Sequence, residues 1–449
     1  MRLKIILTFF LVLFALPAQA ELLNIQEITS PGGIKAWLVE DHNVPVIAME
    51  FAFKEAGSKQ DPSDEQGLAR MVSNTLDEGA GNLDSQNFQK QLRDKAITLA
   101  FNASRDDLSG TFKTITANQD DAFNLLHLAL SAPRFDEEPV ARMRRANQAR
   151  IRSSLSDPEW IAARLLNDVA FAGHPYAQNS GGTISSLARI TPEDLRNFAA
   201  ANLARDNLVV AVAGDITAKD LSKRLDDVFG SLPASSAAAK IPPATLQNKG
   251  SVITYHKDIP QSIIEILQPG IGRDDPDYHN AQIMNFILGS SGFGSRLMEE
   301  IREKRGLSYG VYTYMQDFDE IKTLGISTST ENKNAGEMLA LIKAEWQRMR
   351  ESPVTQEELD AAKSYLTGSL PLSMTSTDKI AELLLSLQRE GLGPSYFEER
   401  EAAINAAQIE DIQRTAQKIL APESFVTVIV GKPENIADAT NTDRIPNAE

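Results

Sequence analysis

Two stretches of this chain repeat one pattern in different residues. NLVVAVA at 207–213 runs into Gly214-Asp-Ile-Thr217, and SFVTVIV at 424–430 runs into Gly431-Lys-Pro-Glu434. Each is a short, β-branched apolar run closed by glycine, which reads as a strand and the turn that ends it. Each also follows a helical segment, 191–203 in one case and 407–420 in the other. The earlier segments match in order. The first part predicts strands over 22–40 (a hairpin broken at Pro31-Gly32-Gly33) and 44–53, helices over 67–78 and 85–93, and strands over 97–103 and 107–115. The second predicts strands over 251–256 and 261–268, helices over 279–288 and 298–304, and strands over 309–316 and 325–330. Helices then follow in both, over 120–131, 139–155 and 159–172 in the first and 335–350, 355–370 and 379–389 in the second. Thr191-Pro192 with Asp194, and Thr355 with Glu358, are N-terminal caps. A repeat of about 200 residues is far too long for a solenoid. It predicts an α+β fold of two homologous halves, each a mostly antiparallel sheet with helices packed on it.

Residues 235–250 are rich in Ala, Ser, Pro, Lys and Asn without a sustained period, and read as the linker between a first domain at 21–234 and a second at 251–449. Residues 1–20 read as a secretory signal peptide. Arg2 and Lys4 precede the apolar run 5–16, and Pro17-Ala-Gln-Ala20 is a small-residue cleavage site. The run is too short to span a bilayer, and no second candidate follows. The expected product begins at Glu21, is exported across the inner membrane to the periplasm, and keeps no membrane span. A formal net charge of −16 argues against nucleic acid as a partner. With no cysteine there is neither a disulfide nor a thiolate metal site.

Few residues offer chemistry. The five histidines, His42, His127, His174, His256 and His279, are too far apart for any helix to present a pair to a metal. No nucleophile elbow occurs. Gly289-Ser-Ser-Gly-Phe-Gly-Ser295 is glycine-rich but lacks the Gly-Lys-Ser/Thr ending of a phosphate loop and follows a helix, so it reads as a mobile or closely packed loop. In Arg302-Glu-Lys-Arg-Gly-Leu-Ser-Tyr309, Arg302 falls late on a helix, Gly306 ends it, and Tyr309 starts the next strand. Arg and Tyr donors there could hold a peptide backbone, or could be a surface helix end beside an ordinary strand Tyr. The helix over 67–78 places Leu68, Met71, Val72, Thr75 and Leu76 on a core face and Arg70, Ser73 and Asn74 outward.

The stretch LGSSGFGSRLMEEIREKRGLSYGVYTY, 288–314, resembles the glycine-rich segment of the pitrilysin/insulysin-type zinc peptidases, which include the mitochondrial processing peptidase. GHPYAQNSGGT (173–183) and ITPEDLRNFAAANLARDNLVVAVAGDI (190–216) add to the resemblance. It implies duplicated halves that close like a clam around a peptide. It also implies that Arg302 and Tyr309, with Gly289, Gly292 and Gly294, contact substrate. The family's zinc helix reads G-L-A-H-x-x-E-H, two ligands and a general base. Here Arg70 and Asn74 stand at the histidines and Ser73 at the Glu. The third ligand, a Glu on a later helix, has no counterpart. No acid lies between Glu138 and Asp157, where Arg142, Arg144, Arg145, Arg150 and Arg152 crowd the segment.

The resemblance thus implies no zinc in this chain. It points to a non-catalytic, substrate-binding subunit of a heteromeric zinc endopeptidase. Zinc then sits on a homologous partner subunit, and peptide or unfolded polypeptide is the substrate. The alternative is a peptide-binding or scaffold protein with no role in cleavage.

Overall fold

The computed structural model describes residues 23–445, so the expected signal segment lies outside the described residues. Alternation in the sequence becomes strands that differ in how many faces they bury. Gln26–Thr29 (β1), Lys35–Glu40 (β2), Val46–Phe53 (β3), Thr98–Ala103 (β4), Leu108–Ile115 (β5) and Leu208–Gly214 (β6) form one six-stranded sheet, ordered β1-β2-β6-β3-β5-β4. Val252–His256 (β7), Gln261–Pro269 (β8), Val311–Asp317 (β9), Lys322–Glu331 (β10), Val426–Gly431 (β11) and Ala439–Thr442 (β12) form the other, ordered β12-β7-β11-β8-β10-β9. The orders coincide once β12 takes the edge place of β1. Pairing is antiparallel except for β2–β6, β7–β11 and β7–β12. The predicted duplication and α+β class are therefore present in the topology.

One face of each sheet is covered by helices of its own half. On the first, Gln119–Ser131 and Ala218–Phe229 bring Phe123 and Phe229 against Phe51 and Phe112. On the second, Trp346 of helix Ala335–Glu351 packs edge-on to Phe425 and donates its indole N–H to Gln268. The central strands are apolar on the opposite face too, and that face needs a second cover. The halves supply it to each other. Helix Thr377–Arg389, from the second half, lays Ala381, Leu384 and Leu385 on Trp37, Val39, Ala48 and Ala211 of the first sheet, and Gln388 donates to the Val210 carbonyl. Helix Pro158–Ala170, from the first half, lays Ile161, Leu165 and Leu166 on Ile263, Leu267, Val426 and Val428 of the second.

A polar seam closes beside this exchange. The fully buried Lys59 ammonium of the first half meets Glu55 at 2.8 Å and Asp106 at 3.2 Å, and Asp319 at 2.9 Å and Glu320 at 3.4 Å from the β9–β10 turn. Burial alone would lower the Lys59 pKa, but the surrounding carboxylates outweigh it and hold it up. Tyr176 donates its hydroxyl to Asp106 and accepts the Glu320 amide N–H. Arg105 lies 5.0 Å from the Phe318 ring centre and 5.8 Å from that of Tyr176. Residues 235–250 contain no helix or strand but are tied to both halves, Ala237 N–H to the Ala201 carbonyl and Ala244 N–H to that of Glu320.

Three elements escape the sequence reading. Helix Ile184–Arg189 is too short to show a period, Tyr396–Ala406 spreads its apolar residues around the axis, and β12 is a polar edge strand. No helix among the described residues is long and apolar enough to cross a membrane.

The duplication extends to a pair of half-buried acids. Glu50 sits mid-β3 opposite Thr111, whose hydroxyl it accepts, and Glu265 sits mid-β8 opposite Ser327, whose hydroxyl it accepts. Burial pushes both up to about 7, and the exchanged helices add like charge, Glu382 and Asp378 near Glu50 and Glu159 near Glu265. A carboxyl raised in the folded state stabilises the fold fully below its unfolded value near 4.3, and that contribution is lost as pH rises through about 7. We therefore expect Glu50→Gln with Glu265→Gln to flatten the fall in thermal midpoint between about pH 5 and about pH 8, measured by calorimetry. An unchanged pH profile would mean that neither acid is held protonated beneath the exchanged helices.

Candidate functional site

The helix after β3 is built as the sequence suggests at its start and differently at its end. Gly67 takes φ +89°, and a Cβ there would come within 2.7 Å of Gly182, so only glycine fits. The buried Asp61 carboxylate accepts N–H groups from Gly67 and Ala69, both at 2.8 Å, and so caps the helix Leu68–Ser73. The expected extent of 67–78 is too long. The Thr75 hydroxyl takes the Met71 carbonyl that the Thr75 N–H would bond in a continuing helix, and that N–H turns to the Val72 carbonyl instead. Ser73, expected outward, is buried, because the short helix is enclosed by Pro192–Asn202, β4 and Glu137–Ser154.

Arg70 reaches the edge strand β4, donating to the Asn102 side-chain oxygen at 2.8 Å and the Ala103 carbonyl at 2.9 Å. Burial lowers its pKa, and the nearby Arg150 lowers it further. Asn74 donates at 3.1 Å to Asn147, a buried residue of helix Glu137–Ser154. Asn147 in turn contacts the Met71 sulfur at 3.2 Å. Asn147 is the residue that sequence reasoning missed. The arginines around it drew the attention, and its one signal was a lone amide in mid-helix. Where the family resemblance puts two imidazoles and two carboxylates, this chain has a guanidinium, a hydroxyl and two amides bonded to each other. Such donors do not fit a zinc ion. Among the described residues, no group of three or more His, Asp or Glu could hold a metal.

The other candidate cluster lies in the second half. Helix Tyr278–Asn285 widens into a π-turn at Phe286–Ser290, so Gly289 is buried in that turn rather than in a loop, and a Cβ on it would press on Thr313 of β9 at 2.5 Å. Gly292 has φ +67° and open space around it, and Gly294 is likewise uncrowded. Arg302 belongs to a second π-turn, Met298–Glu303, closed by Gly306 at φ +62° with its N–H on the Arg302 carbonyl. Tyr309 does not start the strand, which begins at Val311. Ser308 bonds the Gly310 amide and carbonyl and holds the intervening residue in a bend.

That bend brings the pair together. Arg302 donates to the Tyr309 carbonyl at 2.7 Å and lies 4.4 Å from the Tyr309 ring centre and 4.5 Å from that of Phe293. Tyr309 is 83% and Phe293 68% exposed, so two large rings flank a guanidinium at the surface. Phe293 also went unforeseen, although a Phe between two glycines in an open loop signals exposure. Of the histidines, His174 caps a short turn through the Tyr176 N–H, and His127 contacts the Val228 carbonyl.

Fold and donor set together define a peptidase-like chain without the metal centre of a peptidase. Residues 48–183 match the family described as Insulinase (Peptidase family M16), and residues 189–366 match Peptidase M16 inactive domain. A relative from Helicobacter pylori called non-peptidase homolog YmxG is 31% identical over 375 residues, spanning 82% of this chain and 84% of that one. The mitochondrial-processing peptidase subunit beta of Lentinula edodes is 23% identical over 400 residues, spanning 86% of this chain and 85% of its own. The crystal structure of a peptidase M16 inactive domain from Pseudomonas fluorescens matches with a TM-score of 0.85 at 29% identity, over 92% of this chain and 98% of that one. The chain belongs to peptidase family M16.

The Asn74–Asn147 bond places position 147 over the site that a ligand at position 74 would face. Arg70→His, Ser73→Glu, Asn74→His and Asn147→Glu in one chain should therefore rebuild a site that retains about one zinc per chain after dialysis, measured by atomic emission, against none for the native chain. A folded quadruple variant that holds no zinc would place the missing ligand elsewhere.

Proposed function

We infer that this chain is an exported, non-catalytic subunit that pairs with a zinc-bearing homologue and holds extended peptide through Arg302 and Tyr309. The observation that carries this reading is the assembled Arg302–Tyr309 cluster in the same chain as a helix whose donors do not fit zinc. The guanidinium is fixed by two rings and one carbonyl and has further donors to offer. The exposed Tyr309 hydroxyl stands free to meet a carbonyl of an extended chain. Such contacts hold a backbone without selecting side chains, which suits unfolded polypeptide. The names of two relatives, one a non-peptidase homolog and one a subunit, are in keeping with a division of labour. Export to the periplasm rests on the N-terminal Arg2-Lys4 start, apolar run and Ala-x-Ala end.

The test is the reconstituted pair assayed on a fluorogenic peptide. Arg302→Ala with Tyr309→Phe should lower kcat/KM by about tenfold or more, with the complex still assembled by size-exclusion chromatography. Full turnover with both residues changed would remove their substrate role and favour a scaffold.

A further inference from the structure

Two arginines beside the vacated metal position, Arg70 and Arg150, stand apart from the ion pairs that engage their neighbour Arg142. Arg70 commits two donors to neutral oxygens, the Asn102 amide and the Ala103 carbonyl. Among the described residues neither Arg70 nor Arg150 is in an ion pair, and the Arg150 side chain makes no hydrogen bond. The charged groups that Arg70 feels are Arg150, which repels it, and Asp61. Asp61 is a weak counter-charge. Its carboxyl is fully enclosed, faces the amides of Gly67 and Ala69, and is pushed up to about 7 by burial.

Arg70 lies one turn before Asn74 and Arg150 about one turn beyond its partner Asn147, and the charge of Arg150 is felt at Arg70. Arg150 and Asn102 are exposed, so the position is open to solvent. It also lies at the end of β4, the edge strand of its sheet, bonded on one side to β5 and on the other to no strand among the described residues. A guanidinium fork matches a carboxylate in both spacing and charge.

We propose that the vacated metal position is a carboxylate site, in which Arg70 and Arg150 together take an acidic group of an extended peptide lying along the edge of β4. The proposal rests on the peptide-binding reading above and adds a chemical preference to it. A position that would hold a cation in a zinc peptidase here takes an anion. The carboxylate comes from an Asp or Glu side chain or from the peptide's C-terminus, and the same two arginines would meet either.

The test uses the full chain and one unstructured fluorescent peptide in three forms: Gln-centred and amidated, Glu-centred and amidated, and Gln-centred with a free C-terminus. At low salt we expect one of the two acidic forms to bind about fivefold tighter than the neutral one, and the gain to shrink as salt is raised. Whichever form gains identifies the source of the carboxylate. Arg150→Gln, which changes an exposed side chain that bonds nothing, should remove most of the gain, and Arg70→Gln the rest. Binding of the neutral peptide should stay the same. Equal affinity of all three peptides for the native chain would overturn the proposal, as would a preference that survives both substitutions. A second arm does not depend on peptide binding. Glutarate should slow phenylglyoxal labelling of Arg70 and Arg150, read by mass spectrometry, relative to exposed Arg145 and Arg152. If no peptide binds but glutarate protects, the peptide-binding reading fails and the anion site stands. If glutarate gives no selective protection, the site fails.

Discussion

A sheet whose central strands are apolar on both faces cannot stand with helices on one side only, and this chain has two such sheets. Val426–Gly431 is buried along its whole length, and Leu208–Gly214 over most of it. The second cover comes from Thr377–Arg389 and Pro158–Ala170, each reaching across to the sheet of the opposite half. Everything else about the relation of the halves follows from this exchange. Neither half can leave without exposing two apolar surfaces, and the Lys59 cluster then locks the rim between them. A lysine with its side chain fully enclosed is tolerable only because carboxylates from both halves meet it, and removing either set would strand a buried charge. The halves of one chain therefore form a single body. A clam that closes around a peptide requires a second such body, which is where the proposed partner enters.

Much of this could be read from the sequence because the signals are local. Short apolar runs located β3, β5 and β8, and the Thr191 and Thr355 caps located two helix starts that the structure builds as reciprocal boxes. The twin strands ending at Gly214 and Gly431 revealed the duplication, and the topology repeats it in five of the six strands of each sheet, the edge strands β1 and β12 coming from opposite ends of their halves. What stayed hidden depends on contacts between distant residues. Periodicity shows that Ala381, Leu384 and Leu385 share a face but not which sheet they meet. Lys59 looks like any surface lysine until Asp319 and Glu320 are brought to it.

The same limit governs the sites. Arg302 and Tyr309 were legible because their motif is contiguous, and their spacing delivers the contact. Phe293 became part of that cluster only through the curvature of two π-turns, which a helical wheel drawn at the normal period does not produce. Asn147 was missed for a comparable reason, since its partner Asn74 lies far away in sequence. In Arg70 the sequence showed a lost ligand. The structure adds that the replacement is firmly bonded to β4 and yet in no ion pair among the described residues, which turns an apparent loss into a candidate site of opposite polarity.

The central claim is that chemistry and substrate holding are divided between two chains. The most direct measurement is chelator-sensitive peptidase activity of the purified chain alone and co-purified with a zinc-bearing M16 homologue from the same source. The account predicts no chelator-sensitive cleavage by the lone chain and clear cleavage by the pair, lost on chelation and restored by zinc. Cleavage by the lone chain that a chelator abolishes and zinc restores would contradict it.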